Sequence, residues 1–392
     1  MSAESEQKTA ASAATAASGA DPRTFPKFML REIYEQPQAI RETIRGNVEG
    51  DIIFPKSLQG IETALSTFKK IIIAASGSSR HAGLAGEIMI EDLSGESVDV
   101  EYSSEYCYRS THSDTNPIVV VITQSGETAD TTAAQREALN RGAKTVAVSN
   151  VADSTISREA SAKLQTCAGV EKAVPATKSF TAQLTILYLL ALFLARQRGR
   201  MTSEVARAHL NALAEVPKAI EKSLATWDAQ AAGCARAFQH AKAFLFLGRG
   251  VHYALAREGA LKLKEISYVQ AEGLPAGELR HGPNALVDEK LPVIVLATRD
   301  TADPDSVLRY QKTLLVLEYI KSRGGKSIAI ATEGDREILT LADRAIFVPP
   351  APELLLPILE VVPLQLFAYH FAILNGCDVD RPRNLVKAVI TE

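Results

Sequence analysis

The stretch from Glu258 to Pro283, EGALKLKEISYVQAEGLPAGELRHGP, places carboxylates and amines at helical spacing and ends in an imidazole. Glu258, Lys262 and Glu265 fall at i, i+4 and i+7, so on a helix they share one face. Ala260, Leu263 and Ser267 form a neighbouring, mostly uncharged stripe suited to packing inward. Gly273, Pro275 and Gly277 then predict a break in regular structure, and a loop that delivers Glu278, Arg280 and His281. A carboxylate, an amine and an imidazole gathered by a helix and a loop are the groups that proton transfer needs. The same residues would equally make a surface helix with an ion pair and a loop histidine. The rest of the chain decides between the two.

The elements that would position these groups recur along the sequence. Residues 61–68 read as a helix leading into an apolar strand, 70–75 (KIIIAA), which ends in Ser76-Gly77-Ser78-Ser79-Arg80 and is followed by a helical pattern over 82–93. A strand, a turn of small residues and a helix aim backbone N–H groups at an anion. Residues 98–102 predict a second strand. Residues 117–123 (PIVVVIT) predict a third, apolar throughout as a central parallel strand should be. It runs into Gln124-Ser125-Gly126-Glu127-Thr128 and a helix over 129–141, and 144–149 is the next strand. This alternation predicts an open, mostly parallel α/β sheet.

The pattern then repeats. After helices around 203–239, a strand over 243–247 meets Gly248-Arg249-Gly250, a helix follows over 254–267, and 291–297 is again an apolar strand. RGAKTVAV at 141–148 is echoed by RGGKSIAI at 323–330. Two homologous α/β domains follow, over roughly 47–200 and 225–378. Before them lie a helical segment at 25–46, with a pair of short helices interrupted at Pro37, and an Ala/Ser/Thr-rich stretch, 1–24, expected to be a disordered tail. After them, a helix is expected over 363–375, with Pro363 near its start and Gly376 past its end. The terminal segment 379–392 carries Lys387, and Val386, Val389 and Ile390 predict that it docks.

Composition removes several classes of function. A net charge of −3 offers no broad basic field for nucleic acid. The four cysteines form no C-x-x-C pair, which argues against structural zinc and a disulfide framework and points to the cytosol. The first residues lack the apolar core of a signal peptide. The most apolar run, 184–195, is shorter than the roughly 20 residues a bilayer needs, so it predicts a buried core helix and no membrane role.

Ser78, Ser79, Thr123, Gln124, Ser125 and Thr128 bring five hydroxyls and an amide to two helix N-termini. Such a set suits a phosphate monoester. No nucleotide-type glycine loop is present. Each hydroxyl alone could merely cap a helix, but two such turns at the carboxyl ends of parallel strands favour one shared crevice. Ala176-Thr177-Lys178-Ser179 opens the apolar helix and is expected to close the same pocket.

The motifs FMLREIYEQP, SGSSRHAGLAGE, SEYCYR, QSGETADT, ATKSFTAQL, LGRG, EGALKLKEISY, PAGELRHGP and CDVDRPRNLVKAV together resemble the sugar isomerase (SIS) superfamily. Within it they look like the isomerase half of the glutamine–fructose-6-phosphate aminotransferases, from Phe28 to the C-terminus. The resemblance implies two tandem SIS domains, each a flavodoxin-like, mostly parallel sheet flanked by helices. It implies that Ser79, Gln124, Ser125 and Thr128 bind the sugar phosphate, with Ser78, Thr123, Val174 and Thr177 around them. It implies that Glu265 moves the proton between C1 and C2, that Lys262 assists near the same carbons, and that Lys387 forms a Schiff base with the open-chain ketose. His281 would assist ring opening from the partner subunit of a homodimer. No metal or cofactor is implied, since a carboxylate base and a lysine imine suffice for this proton transfer.

Two departures bear on function. The chain opens Met1-Ser2-Ala3 where the synthases carry a glutaminase domain with a nucleophilic cysteine, so it is expected not to take ammonia from glutamine itself. The family's V-A-S-T-K reads Val174-Pro175-Ala176-Thr177-Lys178 and loses a hydroxyl at Ala176; EKAVPATKS looks more like the SIS-type glucosamine-6-phosphate deaminases. The reading that results is interconversion of glucosamine 6-phosphate with fructose 6-phosphate and ammonia, run as a deaminase or with free ammonia. Its alternatives are a synthase isomerase subunit fed by a separate glutaminase, a plain aldose–ketose isomerase of hexose phosphates, and a non-catalytic sugar-phosphate sensor.

Overall fold

The computed structural model describes residues 25–109 and 116–390. The expected tail over 1–24, and the last two residues of the terminal segment, lie outside the described residues.

A short hairpin, β1 (Val48–Glu49) and β2 (Ile52–Ile53), precedes two five-stranded sheets. The first is built from β3 (Ile71–Ala75), β4 (Val98–Tyr102), β5 (Ile118–Thr123), β6 (Lys144–Ser149) and β7 (Ala162–Gln165). The second is built from β8 (Ala243–Gly248), β9 (Gln270–Pro275), β10 (Val293–Ala297), β11 (Ser327–Thr332) and β12 (Arg344–Val348). Their strand orders, β4-β3-β5-β6-β7 and β9-β8-β10-β11-β12, are the same, and every pairing within them is parallel. This is the flavodoxin-like order twice over, and in each sheet the order reverses between the first and third strands. The sequence echo is structural too. Gly142 (φ +82°) and Gly324 (φ +75°) are both left-handed residues leading into the fourth strand of their sheet.

The two-residue side-chain period of a strand sorts each sheet's apolar residues between two cores. Ile71, Ile73 and Ile118 of the first sheet, and Phe244, Phe246 and Ile294 of the second, belong to one continuous buried cluster. Ile72, Ala74 and Val119 lie in a separate core on the first sheet's other face, and Leu245, Leu247 and Val293 in another on the second's. The helices Lys178–Gln197 and Leu356–Leu374 fill the shared core, which fuses the two domains. Each fully buried Leu or Ile there contributes about 1.5–3 kcal/mol. Lys178–Gln197 is 20 residues long, so the shortness expected from 184–195 does not hold. It and Glu353–Leu374 are long and apolar enough to cross a membrane, yet 94% and 89% of their most apolar windows are buried inside the protein.

Several expected boundaries move because packing overrides local signals. The N-terminal helices are Phe28–Tyr34 and Gln36–Asn47; they part at Glu35, and Pro37 sits in the first turn of the second rather than interrupting it. The region 203–239 is one helix, Ser203–Ala237, continuous through Pro217. Pro217 and its neighbours Val216 and Ile220 are buried, and the helix packs on Leu356–Leu374. That last helix starts seven residues before Pro363, which lies in its interior, while Pro357 occupies its first turn. The expected loop around Gly273–Gly277 is instead the edge strand β9 followed by a 3-10 turn, Ala276–Arg280. A Cβ on Gly273 would lie 2.5 Å from Arg257 Cα, so glycine lets the strand press directly on the helix His252–Ser267.

Candidate active site

A crevice of about 300 Å³ opens at the carboxyl ends of β3 and β5, where the first sheet reverses its strand order. Two helices, Gly77–Ser94 and Ala129–Asn140, begin there. Their N-cap residues, Ser76 and Thr128, make no side-chain cap hydrogen bond, so capping is not what these hydroxyls do. Helix starts without side-chain caps keep partial positive charge turned toward the crevice. The turn between β5 and its helix is fixed by Gly126 at φ +71°, whose N–H donates to Thr123 Oγ1 at 3.3 Å. Thr123 and Thr128 share a hydroxyl–hydroxyl bond of 3.0 Å, and Ser125 Oγ accepts from Glu127 N at 3.1 Å. Ser79 Oγ accepts from Gln183 Nε2, 3.0 Å away on the apolar helix.

One wall carries the expected helical face. Glu258 is wholly buried and Lys262 nearly so. Lys262 Nζ lies 3.5 Å from Glu258 Oε1 and 2.6 Å from Glu265 Oε2. Glu258 also accepts from Ser78 Oγ at 2.9 Å and pairs with His81 Nδ1 at 2.8 Å. Burial opposes ionisation of Glu258, but Lys262, His81 and Ser78 outweigh it and hold its carboxyl below the ordinary range. Burial likewise opposes the Lys262 ammonium, and Glu265 and Glu258 outweigh it, raising that pKa above the usual lysine value. The result is a Glu–Lys–Glu row whose outer member, Glu265, faces the crevice together with Lys262.

The opposite wall is the C-terminal segment. Its Lys387 Nζ donates to Glu171 Oε2 at 2.5 Å. Glu171 is buried and also accepts from Thr177 N (3.0 Å), Ser179 N (3.1 Å) and Ser179 Oγ (2.8 Å). Burial would raise its pKa, but Lys387 and these donors win and lower it. The segment is tied down along its length. Asp380 accepts from the backbone N–H groups of Phe28 and Met29, Val174 N donates to Asp380 O at 2.9 Å, and Ala129 N donates to Val389 O at 3.0 Å.

The crevice therefore gathers Ser78, Ser79, Thr123, Gln124, Ser125, Thr128, Val174, Lys262, Glu265 and Lys387 from five separate stretches of chain. Two expected residues are placed elsewhere. Thr177 is wholly buried behind the wall, where its N–H holds Glu171. His281 is exposed on the turn after Ala276–Arg280 and does not line this crevice. The Ser78 hydroxyl lines the crevice but is engaged with Glu258. Sequence reasoning passed over Glu171, His81 and Gln183. Glu171 was visible as an acid just ahead of Val174 in EKAVPATKS, but no spacing rule links it to a lysine 216 residues away.

In the second domain the equivalent turns are tied together by side chains. The ends of β8 and β10 are bridged by side chains: His252 Nδ1 pairs with Glu360 Oε2 at 2.7 Å, its Nε2 pairs with Glu353 Oε1 at 2.9 Å, and Arg309 Nε donates to Glu353 at 2.6 Å.

The SIS domain model matches residues 64–193 and 237–375. The glutamine–fructose-6-phosphate aminotransferase (isomerizing) of Chlorobaculum tepidum is 47% identical over 374 residues, covering 94% of this chain and 59% of that protein. The Thermus thermophilus protein of the same name is 43% identical over 371 residues, with the same coverage of 94% and 59%. The chain thus spans about three fifths of the length of these curated relatives. Among solved structures, the C-terminal domain of glucosamine-fructose-6-phosphate aminotransferase from Francisella tularensis matches with a TM-score of 0.84 and 33% identity, over 93% of this chain and 100% of that one. A glucosamine-6-phosphate deaminase from Thermotoga maritima shares the fold, with a TM-score of 0.68 at 20% identity over 93% and 99% of the two chains. With both α/β domains matched in sequence and in strand order, the chain belongs to the SIS domain family.

Proposed function

We propose that the crevice makes glucosamine 6-phosphate from fructose 6-phosphate and ammonia, as the isomerase part of a glucosamine-6-phosphate synthase. The observation that carries this reading is the meeting of Lys387, Glu265 and two helix N-termini without side-chain caps in one crevice. The sugar phosphate sits on those N-termini, held by Ser79, Gln124, Ser125 and Thr128. The Lys387 amine attacks the C2 carbonyl of the open-chain ketose, and water leaves as the imine forms. Ammonia displaces the lysine to give the C2 imine of the sugar. The Glu265 carboxylate then takes a proton from C1 and returns it at C2 while the C1 hydroxyl proton passes to the nitrogen, leaving an aldehyde at C1 and an amine at C2. Lys262 sits 2.6 Å from Glu265 and steadies the developing negative charge. His281 of the partner subunit assists ring opening in a homodimer, which accounts for its distance from its own chain's crevice.

The nitrogen arrives as ammonia. Glutamine hydrolysis needs an activated nucleophile, and neither cysteine nor histidine lines the described crevice. The relatives described above, at 47% and 43% identity, are named as aminotransferases, whereas the deaminase shares only the fold, so the comparisons support this reading over a deaminase. One observation favours the reverse direction as a second reading: Ala176 lines the crevice where a serine hydroxyl is expected in the aminotransferases.

The test supplies purified protein with fructose 6-phosphate and ammonium and measures glucosamine 6-phosphate, with the reverse reaction run in parallel. Borohydride should trap fructose 6-phosphate on the wild-type protein and not on Lys387→Arg. Trapping that persists in Lys387→Arg would place the imine elsewhere. Interconversion of fructose and glucose 6-phosphates with no nitrogen transfer in either direction would sink the amino-sugar chemistry.

A further inference from the structure

Two arginines meet at the seam between the domains, and among the described residues neither forms an ion pair. Arg80 lies on Gly77–Ser94 of the first domain and Arg257 on His252–Ser267 of the second, and these helices are in contact. Both arginines converge on Tyr102, at the end of β4. The Arg80 guanidinium stacks on its ring at 3.7 Å, and Arg257 Nη2 donates to its hydroxyl at 3.2 Å. Arg257 Nη1 donates to Tyr253 OH at 3.0 Å. Two donors of the Arg80 fork, Nε and Nη1, are buried with no acceptor. Glu87 lies within the field of Arg80 but forms no ion pair with it, and burial, with Glu91 and Asp99 adding to it, raises the Glu87 pKa to about 7. Tyr102 is 43% exposed, so the notch opens to solvent.

Such an arrangement is costly without an anion. A buried charged donor left unpaired gives up its hydration for nothing in return, and here two like charges face each other across one ring. An arginine fork matches the oxygens of a phosphate or carboxylate in a bidentate manner. Each tyrosine hydroxyl that accepts from Arg257 keeps its own proton to donate. We propose that this notch is a second anion site, separate from the sugar crevice, that binds a compact dianion of the phosphate class between Arg80, Arg257, Tyr102 and Tyr253. Arg80 directly follows Ser79, and Arg257 directly precedes Glu258. Neighbouring residues on a helix point about 100° apart, so the anion grips the outer faces of the two helices whose inner faces are joined by the Ser78–Glu258 bond. Its occupancy pins that alignment across the seam.

The probe is inorganic phosphate, titrated calorimetrically into the full chain after the sugar crevice has been filled with glucitol 6-phosphate, which can form no imine. Wild-type protein should take up one further phosphate per chain. Arg80→Gln and Arg257→Gln should each weaken that event about 10-fold or more, the effect of losing one charge-assisted contact, and Arg257→Lys should fall between, keeping charge without the fork. Absence of any phosphate uptake beyond the filled crevice would overturn the proposal, as would undiminished uptake in the double Arg80→Gln/Arg257→Gln protein. Sedimentation of the same samples covers the other source of anionic oxygens: if wild type binds no added phosphate while the glutamine variants lose self-association, the arginines serve a carboxylate of a second copy and the proposal fails. Because the count compares arginine variants with wild type at equal sugar occupancy, a wrong substrate assignment for the crevice leaves the test intact.

Discussion

Replacing Glu171 with glutamine keeps the shape of a buried side chain and removes the charge that holds Lys387. The amide oxygen can still accept from Thr177 N and Ser179 N, now 3.0 and 3.1 Å from Oε1. The amide NH2 would replace Oε2, which now accepts from Lys387 at 2.5 Å and from Ser179 Oγ at 2.8 Å. Breaking a fully buried ion pair costs about 3–5 kcal/mol. Lys387 is 27% exposed and sits on a terminal segment that can lift into water, so the cost to global stability falls toward the ~1.5–3 kcal/mol of one charged hydrogen bond. Activity should suffer far more, because a reacting group misplaced by about 1 Å loses about 10²-fold. Glu171→Gln is therefore expected to unfold at slightly lower urea while kcat and borohydride trapping fall about 100-fold. Glu171→Ala orphans two buried N–H donors at about 1–3 kcal/mol each and should be clearly less stable than Glu171→Gln. The pH dependence has a definite sign. The Glu171 pKa is depressed in the fold, so its contribution is fully present above the ordinary carboxylate value of 4.5 and is lost as pH falls through the folded value. Wild type and Glu171→Gln should thus converge in stability only in acid. A Glu171→Gln protein with wild-type turnover and trapping would refute the reasoning, as would one as unstable as Glu171→Ala.

Glu32 gives the opposite sign. It is wholly buried, accepts from Lys172 N and Ala173 N, and burial raises its pKa to about 7. A raised carboxyl pKa means that ionisation destabilises the fold as pH climbs from the ordinary value of 4.5 to about 7. Glu32→Gln should gain stability relative to wild type across that window and then plateau; urea midpoints showing a pH-independent difference would contradict this. Gly126→Ala should raise KM for the sugar phosphate at least about 10-fold, since φ is +71° and the new Cβ would lie 1.9 Å from Ser154 Oγ, displacing the Gln124–Thr128 turn. Removing the clash with Ser154→Gly in the same chain should restore part of the affinity, and an unchanged KM in Gly126→Ala would show that the turn does not depend on this glycine.

Much of the scaffold was legible because its signals are local. A short, β-branched apolar run such as PIVVVIT suits a strand covered on both faces, and β5 is buried at every position. The spacing of Glu258, Lys262 and Glu265 is a property of any α-helix, so their shared face needed no tertiary information. The same holds for the hydroxyl-bearing turns after β3 and β5, because a strand, a turn and a helix fix where the first-turn N–H groups point. Boundaries were less legible where packing overrules propensity. The region 203–239 read as more than one helix and Pro363 as lying near a helix start, yet Pro217 and Pro363 both lie inside long helices whose buried faces compensate for the lost hydrogen bond. Likewise β9 read as a loop, because its glycine marks a close approach to Arg257 that only the packed helix reveals.

By itself the sequence determined two α/β repeats, a phosphate-suited pair of turns and one carboxylate–amine face. Only the tertiary structure decided which carboxylate holds Lys387, that Thr177 and His281 lie off the crevice of their own chain, and that Arg80 and Arg257 share a tyrosine. The physical reason is separation along the chain. Glu171 and Lys387 are 216 residues apart, and Met29 and Asp380 are 351 apart. Periodicity records only which side chains share a face within a few turns, whereas sheet order and the docking of the terminal segment select which faces meet.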